Sequence, residues 1–395
     1  MTATTSRHTV AQTAPALDVD ALVADPSIGI VVCCGSGGVG KTTTAAALGL
    51  RAAEAGRRVV VLTIDPARRL AQSLGLTELD NTPRPVTDID ASAGGSLHAM
   101  MLDMKRTFDE VVITHADPDK AEQILANPFY QAVSSSFAGT QEYMAMEKLG
   151  QLKASAGGPD APWDLIVVDT PPSRSALDFL DAPNRLGSFL DGRFIRLLTA
   201  PAKAGGRAGL KMFGVGVQIV TGAMTKILGG QMLTDVQTFV NALDTMFGGF
   251  RERADETYRL LSEEGTAFLV VAAPERDALR EASYFVDRLE ADGMPLAGLV
   301  INRIGRVEAT GLSPSKALAV AEALEDGNGP KSATTAAGLL RLHADLVRTA
   351  QRQHELADRF SRAHPGIPVV HVPALGRVVH DLDGLREIGA ALAAS

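Results

Sequence analysis

Short, largely apolar runs, most of them rich in β-branched residues, recur along the chain, at Ile28 to Cys34, Val59 to Ile64, Leu97 to Leu102, Leu165 to Val168, Phe268 to Ala272, Leu299 to Ile301 and Val369 to Val372. Runs that are apolar on every residue, and not on alternate ones, belong to strands buried on both faces. Helical stretches separate most of them, which predicts an α/β fold: a mostly parallel sheet with helices on both faces. In such sheets ligands bind beyond the carboxyl ends of the strands, so strand ends are where chemistry is sought.

Two long segments lack strand pattern, roughly Lys105 to Leu152 and Leu186 to Leu261. In the second, Phe213, Val217, Val220, Met224 and Leu228 recur at steps of three or four, and so do Phe239, Leu243, Met246 and Phe250, which predicts amphipathic helices. The Gly-, Ala- and Lys-rich stretch Ala202 to Gly216 reads as a mobile loop, and Glu325 to Ser332 as a linker before a long helix from about Thr335 to Ala363. His364-Pro365-Gly366 ends that helix. From Asp381 to Leu392, Leu382, Leu385, Ile388 and Leu392 share one face, so this last helix is expected to pack against the sheet.

A length of 395 residues suits either one large domain carrying a helical subdomain or two domains. The organisation expected is a flexible tail over 1–24 and one domain over 25–395, with a helical subdomain formed by about 105–152 and 186–261. A net charge of -8 and a pI near 5.5 argue against a nucleic-acid surface. The only cysteines, Cys33 and Cys34, are adjacent in the first strand and point to opposite faces, so they read as buried thiols and not as a disulfide or metal pair. The most apolar candidate for a membrane span, Ala208 to Gly230, is broken by Lys211, Gln218 and Lys226. With no apolar core to a leader segment and with reduced thiols, the cytoplasm is the expected compartment.

Between the first strand and the helical stretch Thr42 to Ala55 lies Gly35-Ser36-Gly37-Gly38-Val39-Gly40-Lys41-Thr42-Thr43. Its glycines allow positive φ and close approach, so that consecutive amide N–H groups and a helix N-terminus face a bound anion. Lys41 is placed to reach the β and γ phosphates of a nucleotide and Thr42 to ligate Mg²⁺, which makes this a phosphate-binding loop (P-loop) and ATP·Mg²⁺ the expected ligand. The second strand ends at Asp65, before Pro66. A carboxylate there can orient water for attack on a γ-phosphate, or it can simply cap the helix starting at Pro66, and spacing does not choose between the two. Asp169-Thr170-Pro171-Pro172-Ser173 has the form of a Walker B strand end with a switch loop, where the carboxylate supports the metal.

These motifs, in this order, resemble the deviant Walker A ATPases of the arsenical-pump and tail-anchored-protein-targeting family. The resemblance rests on Gly35 to Thr43, Asp65-Pro66-Ala67, Asp169-Thr170-Pro171-Pro172, Pro274-Glu275, Val300-Ile301-Asn302 and Val372-Pro373. It implies that Asp65 activates water, that Asn302 contacts adenine, that Pro373 lies near the base, and that Glu275 belongs to a nucleotide-dependent dimer interface. It also implies a dimer whose helical segments hold a hydrophobic protein client. Met144, Met146, Met212, Met224, Met232 and Met246 are then either groove-lining residues or ordinary helical core.

The chain departs from the family pattern at several points. The signature lysine after the first loop glycine is Ser36, which cannot reach across a dimer as a cation. A homodimer is therefore expected to hydrolyse poorly, and a heterodimer with a lysine-bearing paralogue to complete this site. No C-x-x-C pair is present to hold zinc, and no thiols are present in the helical segments to hold arsenite. Ser173-Arg174-Ser175 replaces the usual Thr-Gly-His after switch II, so coupling between nucleotide and helices is expected to differ. The function expected is a dimeric ATPase switch; a hydrolysis-poor regulatory subunit is the alternative. A membrane- or DNA-riding positioning ATPase is disfavoured by Asp381, Asp383 and Glu387 on the last helix, and an iron–sulfur carrier by the lack of cysteines.

Overall fold

The computed structural model describes residues 14–65, 69–134, 140–156, 161–171, 252–309, 311–326 and 331–394. Its strands are β1 (Ile30–Cys34), β2 (Arg58–Thr63), β3 (Arg84–Pro85), β4 (Ser96–Met101), β5 (Leu165–Asp169), β6 (Thr266–Ala272), β7 (Leu296–Ile304) and β8 (Val369–Pro373). They form one eight-stranded sheet in the order β3-β4-β2-β5-β1-β6-β7-β8. All neighbours are parallel except the short antiparallel edge pair β3–β4. This is the expected α/β P-loop architecture.

Two cores explain the uninterrupted apolar runs. In β1, Ile30, Val32 and Cys34 enter the core on one face, while Val31 and Cys33 enter the core on the other. On the second face α2 (Lys41–Glu54) lies flat on the strands through Ala45, Ala46 and Ala47. A Cβ on Gly49 would stand 2.6 Å from Val61 Cγ2, so the helix can come this close only because that position carries no side chain. The last helix, Leu382–Ala393, buries Leu385, Ile388 and Leu392 in the same core, packed against α2 and β8.

Residues 14–24, expected within a flexible tail, are instead folded onto the sheet edge. Leu17 N–H donates to the Val369 carbonyl and Val369 N–H donates to Pro15. The short α1 (Val19–Ala24) is capped by Asp18, whose carboxylate accepts from Ala21 N–H, and it buries Val19 and Val23. Residues 1–13 lie outside the described residues. At the amino ends of the strands, Arg57 ties these pieces together. Its guanidinium pairs with Asp164 at 2.7 Å and donates to the carbonyls of Val23, Asp25, Ile28 and Asp164.

After the short α3 (Arg69–Ser73), the first strand-poor segment is helical, as α4 (Met104–His115), α5 (Pro118–Leu125), α6 (Pro128–Ser134) and α7 (Thr140–Ala154). Met144 and Met146 on α7 are fully buried in the main core, so they are packing residues and do not line a groove. Most of the second segment, including Met212, Met224, Met232, Met246 and the stretch Ala202 to Gly216, lies outside the described residues. The long helix begins at Lys331, inside the expected linker, and runs to Ala363.

Candidate functional site

The residues singled out in the sequence converge at the carboxyl ends of β1, β2, β5, β6, β7 and β8. The loop between β1 and α2 takes positive φ at Gly35 (147°), Gly38 (76°) and Gly40 (100°). A Cβ at Gly35 would collide with the Val271 carbonyl oxygen of β6, and one at Gly40 with the Asn302 side chain of β7. Glycine is therefore required at Gly35 by the β6 backbone as well as by its torsion, and favoured at Gly40 by its positive φ and by the Asn302 amide beside it. Ser36 and Val39 are buried, Gly37 and Gly38 are exposed, and Thr43 is half-buried on the first turn of α2.

Lys41 is buried, and its ammonium donates to the Ser36 carbonyl at 2.8 Å. Burial pushes the Lys41 pKa down, and the nearby charges of Asp169 and Asp65 act in the opposite direction. Because β5 lies between β2 and β1, the register sets Asp169 beside Thr63 and Cys33. Asp169 is fully buried; its Oδ2 accepts from the hydroxyls of Thr42 at 2.8 Å and Thr63 at 2.9 Å. Burial raises its pKa to about 6, against the lowering effect of those two hydroxyls and of Lys41. Thr170 donates its hydroxyl to the Cys33 carbonyl at 2.9 Å, fixing the chain as it leaves β5.

The residues present fit a magnesium ion. The other carboxylate oxygen of Asp169, Oδ1, is buried without a hydrogen-bond partner, an arrangement that leaves an acceptor for a donor such as a metal-bound water. Thr42 has committed its hydroxyl proton to Asp169, so the lone pairs of Thr42 Oγ1 remain for a cation. Among the described residues no cluster of three or more His, Cys, Asp or Glu side chains is placed to hold a metal. The thiols of Cys33 and Cys34 are free and buried; burial pushes both pKa values up, that of Cys34 to about 12, so both stay protonated.

Asp65 lies two residues beyond the end of β2, half-buried, with its N–H donating to Thr63 Oγ1 at 3.2 Å and its charge felt by both Lys41 and Asp169. Pro66, Ala67 and Arg68, and the switch residues from Pro172 onward, including Ser173-Arg174-Ser175, lie outside the described residues. Asn302 is buried at the end of β7, and its side-chain amide donates to the Val39 carbonyl at 2.8 Å. Pro373 ends β8 opposite Ile304. Glu275 is exposed after β6, at the start of the helix Arg276–Ala291. Two contributors are absent from the sequence reading: Thr63, which looks like an ordinary β-branched strand residue, and Arg303, whose guanidinium donates to the Gly38 carbonyl at 2.9 Å.

Among the described residues no helix is long and apolar enough to cross a membrane. A model of the anion-transporting ATPase family matches residues 28–310. Proteins named ATPase GET3 from Ajellomyces dermatitidis and Blastomyces gilchristii are each 24% identical over 273 residues, which covers 68% of this chain and 71% of theirs. An arsenical pump-driving ATPase of Acidiphilium multivorum is 30% identical over 159 residues, 40% of this chain and 26% of that protein.

Proposed function

The chain belongs to the anion-transporting ATPase family, whose model matches residues 28–310, and from that premise we propose that it binds Mg·ATP at Gly35 to Thr43 and hydrolyses it. The observation that carries this reading is the meeting of Lys41 and Thr42, at the start of α2, with Asp169, at the end of β5, beside one loop of amides. Here Lys41 exchanges the Ser36 carbonyl for the β and γ phosphates, and the loop amides hold the same chain of anions. A magnesium ion, when bound, draws charge from those phosphates. Thr42 Oγ1 is its ligand in this reading, and Asp169 supports it through a bound water. Asp65, whose charge acts on Lys41, holds the attacking water and accepts its proton as the water oxygen bonds to the γ-phosphorus and the bond from that phosphorus to the β–γ bridging oxygen breaks, leaving ADP and phosphate. Asn302 and Pro373 flank the base.

The assembly that fits this chemistry is a dimer that closes on ATP with Glu275 at its interface, and the chain from residue 14 onward acts as one ATPase domain with the segments 105–152 and 186–261 as its client-facing subdomain. Ser36 gives such a dimer no second cation, which supports pairing with a lysine-bearing paralogue. It also supports the second reading, a regulatory subunit that changes state on ATP with little turnover. Phosphate release tests both readings in one experiment. The wild-type chain is expected to be slow alone and faster with the paralogue, and Asp65→Asn to lose roughly 10²-fold of that rate with Mg·ATP affinity retained. Undiminished turnover in the Asn variant removes Asp65 from the chemistry, and equal rates with and without the paralogue remove the pairing.

A further inference from the structure

β7 does not run regularly to its end. Its pairing with β8 slips between Ile301 and Ile304, and the ladder resumes with Ile304 opposite Pro373 and Ala374 N–H donating to the Ile304 carbonyl. The slip spans Asn302 and Arg303. Arg303 has φ 59°, and it is one of two non-glycine residues with positive φ among the described residues, the other being Asp88. Backbone in that region is uncommon for a side chain of this size and marks a place where the surroundings hold the chain in position.

The irregularity turns two consecutive side chains onto two consecutive carbonyls of the phosphate loop. Asn302 Oδ1 accepts from Arg303 N–H at 2.9 Å, which fixes the amide so that Nδ2 donates to the Val39 carbonyl at 2.8 Å. Arg303 donates to the Gly38 carbonyl at 2.9 Å from an exposed position. No peptide bond in the described chain is cis, so in each planar unit the N–H points away from the C=O. A Gly38 carbonyl held outward therefore aims Val39 N–H inward, and a Val39 carbonyl held outward aims Gly40 N–H inward. Carbonyls left loose in a glycine-rich loop are free to rotate toward a bound phosphate and repel it.

We propose that Arg303, together with Asn302, is a positioning residue: it latches the Gly38 and Val39 carbonyls of the loop away from the phosphate and so presets the next two amides as anion donors. The inference rests on the nucleotide reading of this loop. It assigns Arg303 a part that does not require contact with nucleotide: its partner is a neutral carbonyl, so its effect on binding is not an ion pair with phosphate.

Affinities for Mg·ATP and for inorganic tripolyphosphate, measured by calorimetry at 0.05 and 0.5 M KCl on the full chain, test the latch. Arg303→Gly accommodates the positive φ while removing the donor, and is expected to keep the wild-type melting temperature or exceed it. It should weaken both ligands by the same factor, about tenfold, with the ratio to wild type unchanged by salt. Arg303→Lys, which keeps a donor on a long stem, should recover most of the loss. Affinities within twofold of wild type for Arg303→Gly, a loss for ATP without one for tripolyphosphate, no recovery in the lysine variant, or a loss that vanishes at high salt would each overturn the latch, the last by making Arg303 a direct phosphate contact. A wild-type chain that bound neither ligand would instead remove the nucleotide reading itself.

Discussion

Asp169 shows how one side chain ties sequence, register and chemistry together. The motif Asp169-Thr170-Pro171 raises the expectation of a metal-supporting carboxylate, but its depth and its partners come from the sheet, which sets it beside Thr63 and Cys33. Its raised pKa has a definite consequence for stability. In the unfolded chain an aspartate ionises near pH 4, roughly, whereas folded Asp169 holds its proton until about pH 6. Its contribution to stability is therefore fully present below the first value and is lost as pH rises through the second. Nucleotide-free wild type is expected to lose melting temperature relative to Asp169→Asn between pH 4 and 7, because asparagine keeps the neutral form at every pH. Parallel melting curves for the two proteins would show that the carboxyl is not held neutral. That Lys41, Thr42 and Asp169 lie together at the strand ends was legible from the spacing of their motifs; the roles proposed for them rest on the same spacing. Thr63 and Arg303 were not: one depends on which strand lies beside β5, the other on a break in pairing that apolar pattern does not reveal.

At the scale of elements, the central strands β1, β2, β5 and β6 were read almost completely, since short β-branched runs apolar on nearly every position suit strands covered on both faces, whereas β4 and the edge strand β8 are partly exposed at His98 and exposed at His371. Shorter or mixed elements escaped. β3 is only Arg84–Pro85, at the sheet edge, and α1 follows an Asp18 cap that a Thr- and Ala-rich start obscures. Met144 and Met146 fit either a groove or a core by spacing, and only burial decides for the core. The same amino-terminal corner supplies a stability test. Arg57 is mostly buried and satisfies three carbonyls from the segment ahead of β1 as well as Asp164. Arg57→Ala should cost about 2 kcal/mol in urea unfolding, a value set below that for a fully buried pair because Asp164 is partly solvated. Mg·ATP affinity should not change, because Arg57 stands at the opposite ends of the strands from the loop. A loss below about 0.5 kcal/mol, the size of an ordinary surface change, would mean that this corner is not held by Arg57.

For the whole molecule, sheet order brings the strand-end motifs to one place, the proposed nucleotide site, and family membership gives that site an expected reaction. The proposed dimer, partner and client would use surfaces that the apolar pattern does not encode. The account stands first on triphosphate binding in the amide loop, and calorimetry of Mg·ATP with wild type and with Lys41→Ala measures that directly. Wild type should take up one Mg·ATP per chain, and the alanine variant should bind at least about tenfold more weakly, as expected for the loss of a charged hydrogen bond. No heat with wild type, or equal affinity in the two proteins, would contradict the account.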